Sequence, residues 1–395
     1  MSTKTTKFSP GNWSVFHSWI QGSFTPQEKY PVGWVPGGLS PPTAPDTLPP
    51  MSYGLIRPLF FSLPPEVAHR WALAGLHAGL AIPGLRQGIR ALARPQWSSP
   101  PIELWGLTFR NPVGIAAGFD KNADHIDALT SLGFGFVEVG SVTARPSLGN
   151  PRPRLFRLPK DGALINRMGL NNRGAEAAAE KLQTVERCVP IFVNIAKSHA
   201  PGLEGAAAIE DYVQSVTLMT PVADVIVLNI SCPNSGDGRT FEDPEALTQL
   251  MAAVGKVRDE TPLLVKVSPD LDPALLDQVI DIAVEHGVDG FTATNTTVNR
   301  DNLSATSERL KSIGAGGLSG APLHQRALDT VRRIRARVDL PIVGVGGIRG
   351  PEEARAFLQA GANLVQLYTG FVYGGPTIVR RICAGLDEFV LSDQS

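Results

Sequence analysis

VIVLNISCPNSGDGRTFEDPEALTQLMAAVGKVRDETPLLVKVSPDLDPALLDQVIDIAVEHGVDGFTATNTT, residues 225–297, decides the fold. A β-branched run at 225–230 leads to a segment of helical composition at 244–258. A second run at 263–267 leads to another such segment at 273–286, and a third run occupies 290–294. The second helical segment closes on His286 and Gly287, ordinary C-terminal signals. The same rhythm continues outward, with candidate strands at 113–117, 136–142 and 191–196 upstream and at 342–345 and 364–368 downstream. Eight evenly alternating units are what a (β/α)8 TIM barrel requires, and their regularity favours closure over an open, doubly wound sheet. An α/β barrel is therefore expected over residues 99–395.

Ahead of the barrel the composition changes twice. Residues 1–50 carry prolines at 10, 26, 31, 36, 41, 42, 45, 49 and 50, which predicts an extended, poorly ordered leader. That leader has no Arg and no apolar core before a small-residue cleavage site, which counts against a transit peptide and a secretory signal. Residues 51–98 turn helical. Within them, from about 64 to 94, breakers at Pro64, Pro65, Pro83 and Gly84 mark out a helical hairpin of two short helices, the first of which would carry Val67, Trp71, Leu73, Ala74, Leu76 and Leu80 largely on one side. The stretch from Trp71 to Leu85 bears no formal charge but falls short of the roughly 18 apolar residues of a membrane span. Its periodicity alone leaves two roles open, packing on the barrel and lying on a membrane surface.

Over 395 residues the net charge is −1, so there is no global positive field to gather nucleic acid. A hydrophobic share of 43% against 18% charged residues describes a chain that buries a large core. Cys188, Cys232 and Cys383 share no C-x-x-C spacing, and the histidines form no H-E-x-x-H pair, so no metal is expected.

In a barrel the chemistry sits where the strands finish. Asn194, Asn229, Asn234, Asn295, Lys121 and Lys266 recur there, with no acidic pair. An amide presents a donor and an acceptor in one plane, which suits a flat ring whose edge alternates C=O and N–H, such as a pyrimidine. Gly344-Val345-Gly346-Gly347 follows the seventh run and Tyr368-Thr369-Gly370 the eighth, where barrels hold phosphate on exposed backbone N–H groups. Lys266 ends an apolar run, so its ammonium should face negative charge in the mouth. The N1–C2=O edge of a reduced flavin is one such partner and an interior carboxylate another. Cys232 alone among the cysteines lies in a polar loop at a strand end. A thiol with an ordinary pKa of roughly 8.5 needs only modest tuning to act as a base near neutrality.

Taken together, NPVGIAAGFDKNAD from Asn111, GFGFVEVGSVT from Gly133, GNPRPRLFRL from Gly149, INRMGLNNRG from Ile165, LNISCPNSGDGR from Leu228, LLVKVSPDL from Leu263, TNTTVNR from Thr294, GGLSGAPL from Gly316, VGVGG from Val343 and VQLYTG from Val365 resemble the dihydroorotate dehydrogenase family, FMN enzymes of pyrimidine biosynthesis, over nearly everything from Met51 onward. MSYGLIRPLFFSLPPEVAHRWAL from Met51, with FDKNAD and INRMGLNN, resembles the membrane-associated, quinone-using class. The resemblance implies oxidation of dihydroorotate to orotate through FMN, with a quinone as electron acceptor.

It also implies roles for residues. FMN would contact Ala117, Gly118, Lys121, Ser141, Asn194, Asn229, Lys266, Thr294, Gly320, Gly346, Gly347, Tyr368 and Thr369. Orotate would contact Lys121, Asn166, Arg167, Met168, Gly169, Leu170, Asn229, Asn234, Asn295 and Thr296. His69, Arg157 and Tyr368 would line a quinone tunnel beneath the helical hairpin, which would rest peripherally on a membrane surface, at the cytoplasmic face of a bacterial inner membrane. The sequence does not fix the oligomeric state; a monomer is favoured. One position departs from the pattern. The quinone class usually carries serine as its base where this chain has Cys232, a residue typical of the soluble class, and Ser231 immediately precedes it. Two alternatives follow: a soluble dihydroorotate oxidase using fumarate or NAD, and a non-catalytic barrel that binds a phosphate-bearing ligand.

Overall fold

The computed structural model describes residues 53–231 and 240–393. The leader expected at 1–50, Cys232 and Asn234 lie outside the described residues.

Eight parallel strands close into the expected barrel: β1 (Val113–Ile115), β2 (Phe136–Val142), β3 (Ile191–Ile195), β4 (Val225–Asn229), β5 (Leu263–Val267), β6 (Gly290–Ala293), β7 (Ile342–Val345) and β8 (Leu364–Leu367). Each pairs with its neighbours in sequence, and β8 returns to β1. Helices between them are capped by their own sequence. Pro244–Val254 and Pro273–Glu285 start at Pro, where the missing N–H costs nothing, behind Asp243 and Asp272 carboxylates that accept from backbone N–H groups. The first of them ends a turn short of the predicted Arg258, because 3-10-type bonds such as Val257 N to Val254 O tighten the chain after Gly255.

The barrel interior is layered. A hairpin of Ile102–Leu104 and Leu107–Phe109 lies at its floor, where the rings of Phe109, Phe136 and Phe192 pack edge-on or tilted with centroids 4.8–6.1 Å apart. Above this apolar plug, Glu138, Asn194, Lys266 and Gln366 form a buried polar layer beneath the mouth. A three-stranded antiparallel sheet of Leu155–Leu158, Ala163–Asn166 and Gly317–Gly320 carries Asn166 and Gly320.

The N-terminal segment contains the hairpin expected at 64–94 and one further helix ahead of it. It holds three helices: α1 (Tyr53–Ser62), α2 (Pro65–Ala81) and α3 (Pro83–Ala93). The single apolar face proposed for α2 is divided. Leu73 and Leu80 are buried and Leu76 is half-buried, whereas Trp71 is 69% exposed. Residues two apart on a helix stand about 200° apart, so Trp71 and Leu73 cannot share a face. The helices dock through Arg86 and Arg90 on Asp127, through Arg154 on Glu66 at 3.0 Å, and through His77 Nε2 against His125 Nδ1 at 2.8 Å. None of the residues of α1 is buried, and Leu55 (79%) and Leu59 (69%) are exposed. Among the described residues no helix is long and apolar enough to cross a membrane.

The C-terminal helix Ile378–Asp393 is tied to the linker ahead of the barrel by Asp387, which accepts from the backbone N–H and the hydroxyl of both Ser98 and Ser99. These bonds, that of the Ser98 hydroxyl first, hold the carboxyl at about 2. A folded-state pKa below the unfolded value gives stability that is complete above about pH 4 and lost as pH falls through about 2. Asp387→Ala is expected to lower the unfolding free energy by about 2 kcal/mol at neutral pH. Urea melts at pH 7 and pH 3 check this, because the difference between variant and parent should shrink at the lower pH.

Candidate active site

The loops at the C-terminal ends of the strands enclose a cavity of about 150 Å³. Of the positions assigned to FMN, all but Asn194 line it, and so do Asn166, Met168, Gly169, Leu170, Asn295 and Thr296 from the orotate set. Asn194 sits below, fully buried, with its amide bonded to Glu138 Oε1 at 2.7 Å and to the Ser141 hydroxyl. Arg167 does not reach the cavity. Its guanidinium donates to the carbonyls of Pro153 and Ile313 and lies over the Phe156 ring at 4.9 Å. Asn166 and Met168 face the cavity on either side of it, as the alternation of an extended chain dictates. Cys232 and Asn234 lie outside the described residues. Of the other two cysteines, Cys383 is buried and Cys188 exposed.

The amides are joined to one another. Asn229 Nδ2 donates to the Ser141 hydroxyl at 3.2 Å, and Asn295 Nδ2 donates to Asn229 Oδ1 at 3.1 Å and to the Ser231 carbonyl at 2.8 Å. Sequence reasoning missed Glu138, Gln366 and Ser319. Gln366 and Ser319 line the cavity, and Glu138 underlies it. The clue to Glu138 was present: it is the only acidic residue in the eight barrel strands, inside FVEVGSV.

Charge is finely disposed here. Burial, and then the Arg154 guanidinium, lower Lys121 to about 8, against the pull of Glu66 and Asp120. Its ammonium donates to the Gly118 carbonyl. Lys266 Nζ lies 3.4 Å from Glu138 Oε1, so the interior-carboxylate alternative raised for this lysine is realised, while the same residue also lines the cavity. Burial pushes the Tyr368 phenol up to about 12.

A second cavity of about 600 Å³ opens between the N-terminal helices and the barrel. His69, Arg157 and Tyr368 all line it, among Phe60, Phe61, Leu73 and Leu76. Burial, then Lys121, lowers His69 to about 4, so it is neutral at physiological pH. Its ring meets Phe119 at 4.7 Å, and Phe119 meets Tyr368 at 5.7 Å. Arg157 donates to the carbonyls of Phe60, Phe61 and Leu63, holding the C-terminal end of α1, while its Nε is buried without a hydrogen-bond partner among the described residues. Lys121, Met168 and Tyr368 line both cavities and form the wall between them.

The residues present suit a flat heterocycle carrying a phosphate. Gly347 has φ +69°, and a Cβ there would come within 2.6 Å of His324 Cβ, so only glycine leaves this turn open beside the cavity. Gln366 Oε1 is buried beside the cavity with no hydrogen-bond partner among the described residues.

Lysines, amides and a glycine turn brought by a closed parallel barrel onto one cavity define a barrel enzyme whose site lies at the mouth. Residues 101–390 match the family described as dihydroorotate dehydrogenase. The chain is 47% identical over 339 residues to the dihydroorotate dehydrogenase (quinone) of Thermobifida fusca, covering 83% of this chain and 89% of the relative. It is 45% identical over 347 residues to the protein of the same name from Nocardia farcinica, covering 86% and 94%. The crystal structure of DHODH from Eimeria tenella in complex with ferulenol superposes with a TM-score of 0.72 at 32% identity, covering 87% of this chain and 95% of that one. The chain belongs to the dihydroorotate dehydrogenase family.

Proposed function

We propose that the protein oxidises dihydroorotate to orotate in pyrimidine biosynthesis, with FMN as its flavin and a quinone as electron acceptor. The observation that carries this reading is the pair of cavities sharing one wall. A polar cavity rich in amides lies on one side of Lys121, Met168 and Tyr368, and a larger one, lined by apolar side chains from the helices, lies on the other. FMN, held by residues such as Lys266, Gly346 and Gly347, would supply hydride acceptance and onward electron transfer to the quinone. The chain does the rest. Asn166, Asn229 and Asn295, together with Asn234, pair with the edge of the pyrimidine ring, and the ammonium of Lys121 meets the substrate carboxylate. Cys232 takes the proton from C5. The turns at Gly346, Gly347 and Thr369 hold the phosphate on backbone N–H groups.

Residues 51–98 then form the quinone entry and 99–395 the FMN-binding barrel. The exposed Leu55, Leu59 and Trp71 suit contact with a membrane surface, which we place at the cytoplasmic face of a bacterial inner membrane. The test is anaerobic addition of dihydroorotate to the purified protein, followed by a ubiquinone analogue, fumarate or NAD in separate cuvettes. The flavin band should bleach and then recover with the quinone alone. Protein that stays colourless with added FMN, or a band that does not bleach, sinks the reading; recovery with fumarate or NAD instead moves it to the soluble class.

A further inference from the structure

Glu138 and Lys266 are the only ionisable side chains in the eight barrel strands. They are paired, and they are not equivalent. Lys266 lines the polar cavity, whereas Glu138, in the same layer, is fully buried and does not line it. Both of its oxygens are engaged by groups of the same polar layer. Oε1 accepts from Asn194 Nδ2 at 2.7 Å and from Lys266 Nζ at 3.4 Å, and Oε2 accepts from Gln366 Nε2. One carboxylate thus fixes three side chains: Lys266 and Gln366, which face the cavity, and Asn194, which holds the Ser141 hydroxyl. It does so fully buried from solvent, and charges in such surroundings act over several ångströms.

We infer that Glu138 is a positioning residue that sets how much positive charge the barrel presents to the cofactor. The proposal rests on the flavin reading above. A flavin gains negative charge along its N1–C2=O edge when reduced, and an ammonium beside it favours the reduced form. A carboxylate clamped to that ammonium from behind opposes the effect. The same contacts aim the ammonium, so the carboxylate provides both orientation and restraint. On this account the site is close to neutral by construction, and the balance between oxidised and reduced cofactor follows from a pair of opposite charges rather than from Lys266 alone.

The test is an anaerobic spectroscopic titration of the flavin-loaded protein against dyes of known potential. Glu138→Gln keeps the shape and an acceptor for Asn194 while removing the charge. It is expected to shift the equilibrium at least tenfold toward the reduced form, roughly 30 mV for a two-electron couple. A flavin-loaded Glu138→Gln protein with an unchanged equilibrium overturns the proposal. If this variant yields no loaded protein, Glu138→Gln with Lys266→Met removes both buried charges, a change that folded proteins commonly tolerate. The proposal then expects an equilibrium within about threefold of the parent, whereas a shift of tenfold or more toward the oxidised form shows Lys266 acting without a counterweight and overturns it. A parent protein that takes up no FMN fails at the earlier step and removes the flavin reading itself.

Discussion

Replacing Cys232 with alanine is expected to leave a folded, yellow protein whose flavin is reduced by dihydroorotate about 10²–10⁴ times more slowly, the usual contribution of a positioned general base. The resemblance gives that role to Cys232, which lies outside the described residues, whereas the neighbouring Ser231 is held in the amide network. Ser231 is buried, its carbonyl and hydroxyl both take bonds from Asn295 Nδ2, and its hydroxyl turns toward the Lys266 carbonyl at 3.5 Å. It is part of the amide framework. Cys232, the position to which the family pattern gives the base, is the residue proposed for proton abstraction. Stopped-flow mixing with dihydroorotate in the absence of oxygen measures the step directly. Cys232→Ser should fall between parent and alanine variant, since an unassisted hydroxyl is the weaker base at neutral pH. An alanine variant reduced at the parental rate removes Cys232 from the mechanism.

The second large effect is expected at Gly320, where the three-stranded sheet meets the loop after β8. Its φ of +100° with ψ of −159° is backbone that side chains avoid. A Cβ would also lie 2.3 Å from the Gly162 carbonyl, 2.8 Å from Ala163 Cα and 2.9 Å from Thr369 Cγ2. Two of these neighbours are backbone and cannot swing aside; the third belongs to the proposed phosphate cradle. Gly320→Ala is therefore expected to cost roughly 3 kcal/mol or more of stability and to release the flavin. Gly106→Ala is the control: its φ is +72°, but nothing lies within 4 Å of the added carbon, so only about 1 kcal/mol is expected. Denaturant melts and the flavin absorbance of the purified variants report both quantities. A Gly320→Ala protein with full flavin content and parental stability contradicts the assignment of this glycine.

The barrel was legible because its strands are short β-branched runs set at regular intervals between helical segments, a pattern that survives without knowledge of tertiary contacts. Three features were not legible in the same way. Helix α1 contains Pro58, which reads as a breaker from sequence; in the structure the helix continues through it, tethered by Tyr53 Oη to the Val372 carbonyl and by Arg157 at its far end. The sheet at Leu155–Leu158, Ala163–Asn166 and Gly317–Gly320 pairs residues as distant as Asn166 and Gly317, and its four-residue strands show no periodicity that would announce such a pairing. Site residues assigned as an unbroken run also suffered. Alternation along the chain sends Arg167 to the opposite side from Asn166 and Met168, and depth within the barrel places Asn194 behind Ser141. A motif names neighbours in sequence, whereas a cavity selects by side and by depth.

Helix α1 leaves a mechanical consequence. Since none of its residues is fully buried, lifting it from the larger cavity sacrifices a few polar tethers and the edge contact of Phe61 with Tyr373 at 5.2 Å. Opening of this roof is thus energetically separable from melting of the barrel. A bulky, water-shy oxidant could be admitted from the side while the chamber that holds its pyrimidine counterpart stays shut.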